Sequence, residues 1–239
     1  MARRAIRFIL NARMPPRKSL PTLDYERAFW HDGYARVAGL DEAGRGALAG
    51  PVVAAAVIFP QSIPFARDLA QVNDSKQLSP ATRAELFEPI QRAALAWGVG
   101  FATHAEIDAL NIARAARLAM LRALAALSIA PDALLLDAFD LPDLDQPQIG
   151  LIHGDALSVS IAAASILAKV TRDRYLCDLD AQFPAYQFAR HKGYATAAHR
   201  ALLRTHGPCP VHRASYAPVR RAVDEPPTGL ERRASAYNK

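Results

Sequence analysis

Between Tyr34 and Asp155 the chain alternates short, almost wholly apolar runs with longer stretches in which apolar residues recur every three or four positions. Runs of the first kind mark strands buried on both faces, and the spacing of the second is that of helices with one side on a core. Arg36–Leu40 and Pro51–Phe59 (PVVAAAVIF) predict two strands separated by a glycine-rich turn, and Ala96–Ala102 predicts a third. Being close in sequence, the three are expected to pair antiparallel. Ser79–Leu95 predicts a helix, with Ser79 placed to cap it and Pro80 on its first turn, where a missing N–H costs nothing. His104–Ala109 predicts a short helical turn, and Asn111–Ala126 an Ala/Leu/Arg helix with its arginines opposite the apolar side. Two more short strands, Ala133–Leu136 and Ile149–Ile152, lead to a turn at Gly154-Asp155 and a long helix, Ser158–Leu179, with Ser158 as N-cap. Strands first, then alternation with helices, indicate an α/β fold: a mixed five-stranded sheet flanked by helices. Helical pieces at 195–206 and 217–223 add a small helical C-terminal part, 183–224, to a main domain at 34–182.

The two ends read differently. Residues 1–33, with Pro15, Pro16, Pro21 and several arginines, show no sustained periodicity and predict a basic, flexible extension; 225–239 predict a flexible tail. A chain of 239 residues, 51% hydrophobic and 22% charged, is long enough to bury one sizeable core. No apolar run approaches the ~18 residues of a membrane span, and no secretory signal pattern is present, so a cytoplasmic location is expected. Cys177 and Cys209 have the spacing of neither a disulfide framework nor a zinc site. The net charge of +6 conceals a segregation: residues 1–33 balance at +4, 34–180 at −5 and 181–239 at +7. An acidic middle followed by a basic C-terminal third suits an enzyme that holds a polyanion against cations.

The acidic middle carries the candidate chemistry. In GLDEAGRGALAGP, residues 39–51, Asp41 and Glu42 end the first strand and are followed at once by Gly44-Arg45-Gly46. Adjacent carboxylates raise each other's pKa, and a bound cation would relieve the repulsion. The two glycines allow main-chain groups to approach a ligand closely, and Arg45 can meet a phosphate. Asp137 and Asp155 each stand just past an apolar strand, so both can meet Asp41 and Glu42 on one edge of the sheet. Hard oxygen ligands of this kind suit Mg2+ or Mn2+. Ser75 and Lys76, before a helix N-terminus, are placed to receive a phosphate through hydroxyl, ammonium and N–H groups. Lys169 and Arg172, with Arg190, His191 and Lys192, extend a track for a nucleic-acid backbone. Asp140, Asp143 and Asp145 read as loop residues, His104 and His199 as structural ones, and Tyr194 by itself as a hydrophobic anchor.

Six blocks in order, GLDEAGRGALAGPVVAAAV, NDSKQLS, EIDALNI, LLLDA, GDALSVSIAAASILAKVTRDR and HKGYAT, resemble those of the ribonuclease HII family over roughly residues 37–219. The resemblance implies a ribonuclease H-like sheet with a helical C-terminal part. It also implies an endonuclease that cuts the RNA strand of RNA–DNA hybrids and nicks duplex DNA 5′ to embedded ribonucleotides. Two Mg2+ or Mn2+ ions, held by Asp41, Glu42, Asp137 and Asp155, would serve the hydrolysis, which leaves 5′-phosphate and 3′-hydroxyl ends. Gly44, Arg45 and Gly46 would read the 2′-hydroxyl, which only ribose offers, and Tyr194 would pack by the junction sugar. His153 departs from the pattern, standing where a lysine is commoner. A ribonuclease HIII-like nuclease and a non-catalytic hybrid-binding protein of the same fold are the alternatives.

Overall fold

Val52–Ile58 buries all seven of its side chains, which requires cover on both faces of the strand. The computed structural model describes residues 7–10, 20–63 and 69–224. Among these, six strands form one mixed sheet: β1 (Arg7–Leu10), β2 (Val37–Ala43), β3 (Val52–Ile58), β4 (Ala96–Ala102), β5 (Ala133–Asp137) and β6 (Gln148–Leu151). The sheet order is β1-β6-β5-β2-β3-β4. The sequence neighbours β2–β3 and β3–β4 are antiparallel, as their nearness in sequence predicts; β2–β5, β5–β6 and β1–β6 are parallel.

The five strands read from sequence are β2 to β6, and β1 adds a sixth at the β6 edge. Residues 7–10 and 20–33 are therefore more than an extension, while 1–6 and 11–19 lie outside the described residues. Besides β1 they supply α1 (Asp24–His31), whose Phe29 is buried against Val37, Leu135 and Ile161. A four-residue strand and a two-turn helix are too short to show a periodicity, which is why the sequence conceals them. The expected flexible tail at 225–239 lies outside the described residues.

Helix α2 (Pro80–Ala93) is capped as predicted, the Ser79 hydroxyl accepting from the Thr82 N–H at 3.1 Å. It packs with α5 (Val159–Gln182) on one face of the sheet. On the other face lies α4 (Ile112–Ala125), entered through the short α3 (His104–Leu110). Ser158 caps α5 by accepting from the Ile161 N–H. Near its start α5 crosses β2 so closely that a Cβ on Gly39 would stand 2.2 Å from the Ser160 carbonyl carbon. The remaining helices, α6 (Phe188–His191), α7 (Ala197–His206) and α8 (Ala217–Asp224), form the C-terminal part. No helix among the described residues is long and apolar enough to cross a membrane.

Candidate active site

Parallel strands end on the same side of a sheet, and that rule assembles the site. In the β2–β5 register Leu40 faces Leu136, so the next residues, Asp41 and Asp137, emerge together. β6 ends level with them, since Asp137 pairs with Leu151, and the turn after β6 brings Asp155 to the same edge. One carboxylate oxygen from each of Asp41, Asp137 and Asp155 lies within 4.8 Å of the others. Glu42, the next residue after Asp41, lines one cavity with Asp41 and Asp137; its Oε1 accepts from Arg45 at 3.3 Å. All four carboxylates are thus at one corner, three in a cluster and Glu42 beside the Gly44-Arg45-Gly46 loop. A cavity of ≈ 320 Å³ opens there, lined by Asp41, Glu42, Asp137, Lys76, Lys169 and Tyr194 among others.

So much negative charge in a buried corner is unfavourable, and the carboxyl groups show it. Burial, then the charges of Glu42, Asp137 and Asp155, raise Asp41 well above the ordinary range. Burial, aided by Asp137 and opposed by Arg45, pushes Glu42 up to about 7. Asp155 reaches about 6 through burial and the Asp137 charge, against the Lys76 ammonium 3.0 Å away. Asp137 is also raised by burial, although the Gly154 N–H donates to it at 2.7 Å. For Lys76 burial works downward, but the surrounding carboxylates outweigh it and raise the ammonium. Glu42 Oε2 is buried with no hydrogen-bond partner. An all-oxygen cluster that resists ionisation and leaves a buried carboxylate oxygen unpaired fits hard divalent cations such as Mg2+ or Mn2+.

A stability prediction follows. A carboxyl group whose folded pKa is raised stabilises the fold below its unfolded pKa near 3.8 and loses that contribution as pH rises through the folded value, here about 6 for Asp155. Asp155→Asn should therefore melt higher than the wild type in EDTA at pH 7–8, by about 1–3 kcal/mol. Melts between pH 4 and 8 check this: the gap should narrow as pH falls through about 6 and close near the unfolded pKa of about 4, and Mn2+ should stabilise the wild type more than the variant.

The Gly44-Arg45-Gly46 loop is held from beneath. Gly44 adopts φ +96°, and an added Cβ would stand 1.9 Å from Arg172 Nε. Arg213, fully buried, donates to the carbonyls of Gly44 at 2.7 Å and Arg45 at 2.9 Å, and the Tyr216 hydroxyl donates to the Arg45 carbonyl at 2.6 Å. With its carbonyls engaged below, the loop keeps its upper face for a ligand, and Gly46 there has open space about its Cα. Next to the loop, where Ala47 bridges Tyr194, the Tyr194 ring has Lys169 Nζ at 5.2 Å from its centre and the Arg172 guanidinium at 5.1 Å. Lys169 also pairs with Asp173 at 2.7 Å.

The structure corrects part of the backbone-binding reading. Arg172 is buried and donates to the carbonyls of Pro51, Ala49 and Lys192; it braces the core, as a guanidinium with five donors can. His191 is likewise internal, bonded to the Tyr186 carbonyl and the Gly193 N–H. Ser75 and Lys76 border the cavity, but their N–H groups are already taken, by Ser165 Oγ at 3.2 Å and Asp74 Oδ1 at 2.8 Å. What they offer a phosphate is side-chain chemistry alone. The buried Arg83 fixes this loop through the carbonyls of Ser75 and Leu78. Sequence reading missed Arg83, Arg213 and Tyr216, whose role is to hold main-chain carbonyls; a lone Arg or Tyr gives no local pattern for that. Asp140 pairs with Arg117 at 2.6 Å, in keeping with an ordinary loop residue.

The family model for ribonuclease HII matches residues 38–219. The ribonuclease HII of Desulfitobacterium hafniense is 52% identical over 199 residues, 83% of this chain and 75% of its own. That of Moorella thermoacetica is 54% identical over 192 residues, 80% of this chain and 91% of its own. Among solved structures, the ribonuclease H2 of Pyrococcus horikoshii superposes with a TM-score of 0.65 at 27% identity, covering 79% of this chain and 97% of its own. With the model matching most of the chain and relatives at half identity, this nuclease belongs to the ribonuclease HII family.

Proposed function

We propose that the protein hydrolyses the RNA strand of RNA–DNA hybrids and incises duplex DNA on the 5′ side of embedded ribonucleotides, leaving 5′-phosphate and 3′-hydroxyl ends. The observation that carries the reading is the three-carboxylate cluster within 4.8 Å beside a main-chain loop whose exposed Gly46 leaves room for a ribose. Asp41, Asp137 and Asp155, with Glu42, would hold two divalent ions, which when bound supply an activated water and stabilise charge on the leaving oxygen. The chain's own part is positioning. The Gly44-Arg45-Gly46 backbone meets the 2′-hydroxyl, Arg45, half-exposed at the rim, meets a phosphate, and the Tyr194 ring packs by the neighbouring sugar. Lys169 and Lys76 add positive charge along the strand.

The test is a labelled duplex carrying one ribonucleotide, incubated with Mg2+, Mn2+ or EDTA. A single nick 5′ to the ribonucleotide, dependent on the ion, is expected. Retardation without a nick would point to a binding protein. Efficient cleavage of long hybrids with a feeble nick at the single site would favour the ribonuclease HIII type of preference.

A further inference from the structure

The Tyr194 turn and the Gly44-Arg45-Gly46 loop are neighbours, joined where Ala47 bridges Tyr194 and the Leu48 N–H donates to the Gly193 carbonyl at 2.8 Å, and both are also tied to one segment, Cys209–Tyr216. Arg213 holds the loop, as described. Its neighbour His212 reaches the tyrosine turn through His199: His199 Nδ1 lies 2.9 Å from the Tyr194 carbonyl, and His199 Nε2 lies 3.0 Å from His212 Nε2. Both imidazoles are buried. The proton positions are fixed from both ends. A carbonyl only accepts, so His199 Nδ1 carries the hydrogen and its Nε2 accepts. At the other end the Cys209 N–H, a donor only, lies 3.0 Å from His212 Nδ1, so His212 carries its hydrogen on Nε2 and donates to His199. The bonds run one way, from the Cys209 N–H through His212 and His199 to the Tyr194 carbonyl, with both rings neutral. The His199 ring is also stacked on His191, 4.2 Å between centres and 13° between planes, so it cannot swing without disturbing its neighbours.

We propose that His199 and His212 are positioning residues for Tyr194, holding the turn that carries its ring. The inference rests on the reading that Tyr194 faces the substrate sugar. A one-way relay of two neutral imidazoles ending on a carbonyl is a demanding arrangement for a fold that could have buried an apolar side chain at position 199. Its partner is the one peptide unit that carries a cavity-lining aromatic ring.

The experiment is a double-mutant cycle on kcat/KM for the single-ribonucleotide duplex. His199→Phe keeps a stacked ring and removes both hydrogen bonds; a loss of about tenfold is expected, the scale of outer-shell partners. In a Tyr194→Ala background the same change should cost nothing further, since a residue acting through Tyr194 has no other route. His199→Gln, whose amide offers one donor and one acceptor, should recover most of the loss. His212→Asn is a milder cut, keeping an acceptor for the Cys209 N–H while losing the donor to His199; if His199→Phe does not fold, this variant takes its place, with a smaller loss and the same coupling. Additive losses, or a Gln variant as impaired as the Phe variant, would overturn the proposal while leaving the substrate reading intact. An undiminished Tyr194→Ala protein would overturn the reading of Tyr194, and the inference with it.

Discussion

An Asp137→Asn protein is expected to fold, bind a hybrid duplex and fail to cut it. The asparagine Oδ1 can still accept from the Gly154 N–H, the bond that the aspartate makes at 2.7 Å, so the turn carrying Asp155 keeps its place. Only the charge is lost, from a cluster whose three oxygens lie within 4.8 Å and could hold a cation. Cleavage should fall by about 10³-fold, the scale of removing one preorganised charge-stabilising group. Affinity for the duplex, measured in EDTA or Ca2+ so that the wild type does not turn over, should hold or improve, because one anion fewer faces the phosphates. Near wild-type cleavage would remove Asp137 from the site.

The second large effect is expected at Gly44. An alanine there must adopt φ +96° and place its Cβ 1.9 Å from Arg172 Nε. Arg172 cannot retreat, being buried with its donors on three carbonyls, so the loop moves instead. Strain and lost bonds together should cost about 2–4 kcal/mol in stability, seen as a lower melting temperature. A loop displaced by ~1 Å should lose about 10²-fold in kcat/KM. Gly46→Ala is the control two residues away: its added Cβ meets nothing within 4 Å, so the fold should melt close to the wild type. Any loss of cleavage in that variant then reports the approach of substrate. Equal melting temperatures for the two variants would contradict the account of the loop.

Local pattern was enough to place most elements. The all-buried run 52–58, the Ser79 and Ser158 caps and the Ala/Leu/Arg helix each carry their cause within a few residues, and the structure places them as read. The meeting of the carboxylates at one corner was also legible, because an aspartate just past an apolar run marks a strand's end. Surface and core arginines were not distinguished: Arg172 and Arg213 look like any basic residue of a basic C-terminal third. The short β1 and α1 left no pattern at all.

What the sequence by itself determined is which residues can carry charge, where strands and helices start, and the kind of cation the chemistry suits. What only the tertiary structure decided is the parallel order β6-β5-β2, which makes Asp41, Asp137 and the Asp155 turn end together. It also decided which polar side chains face inward to hold main-chain carbonyls. Both depend in large part on contacts between residues far apart in sequence, such as Ser75 with Ser165 and Arg213 with Gly44. Periodicity reports only on neighbours within a turn or a strand, so such long-range pairings become visible only when the chain is closed on itself.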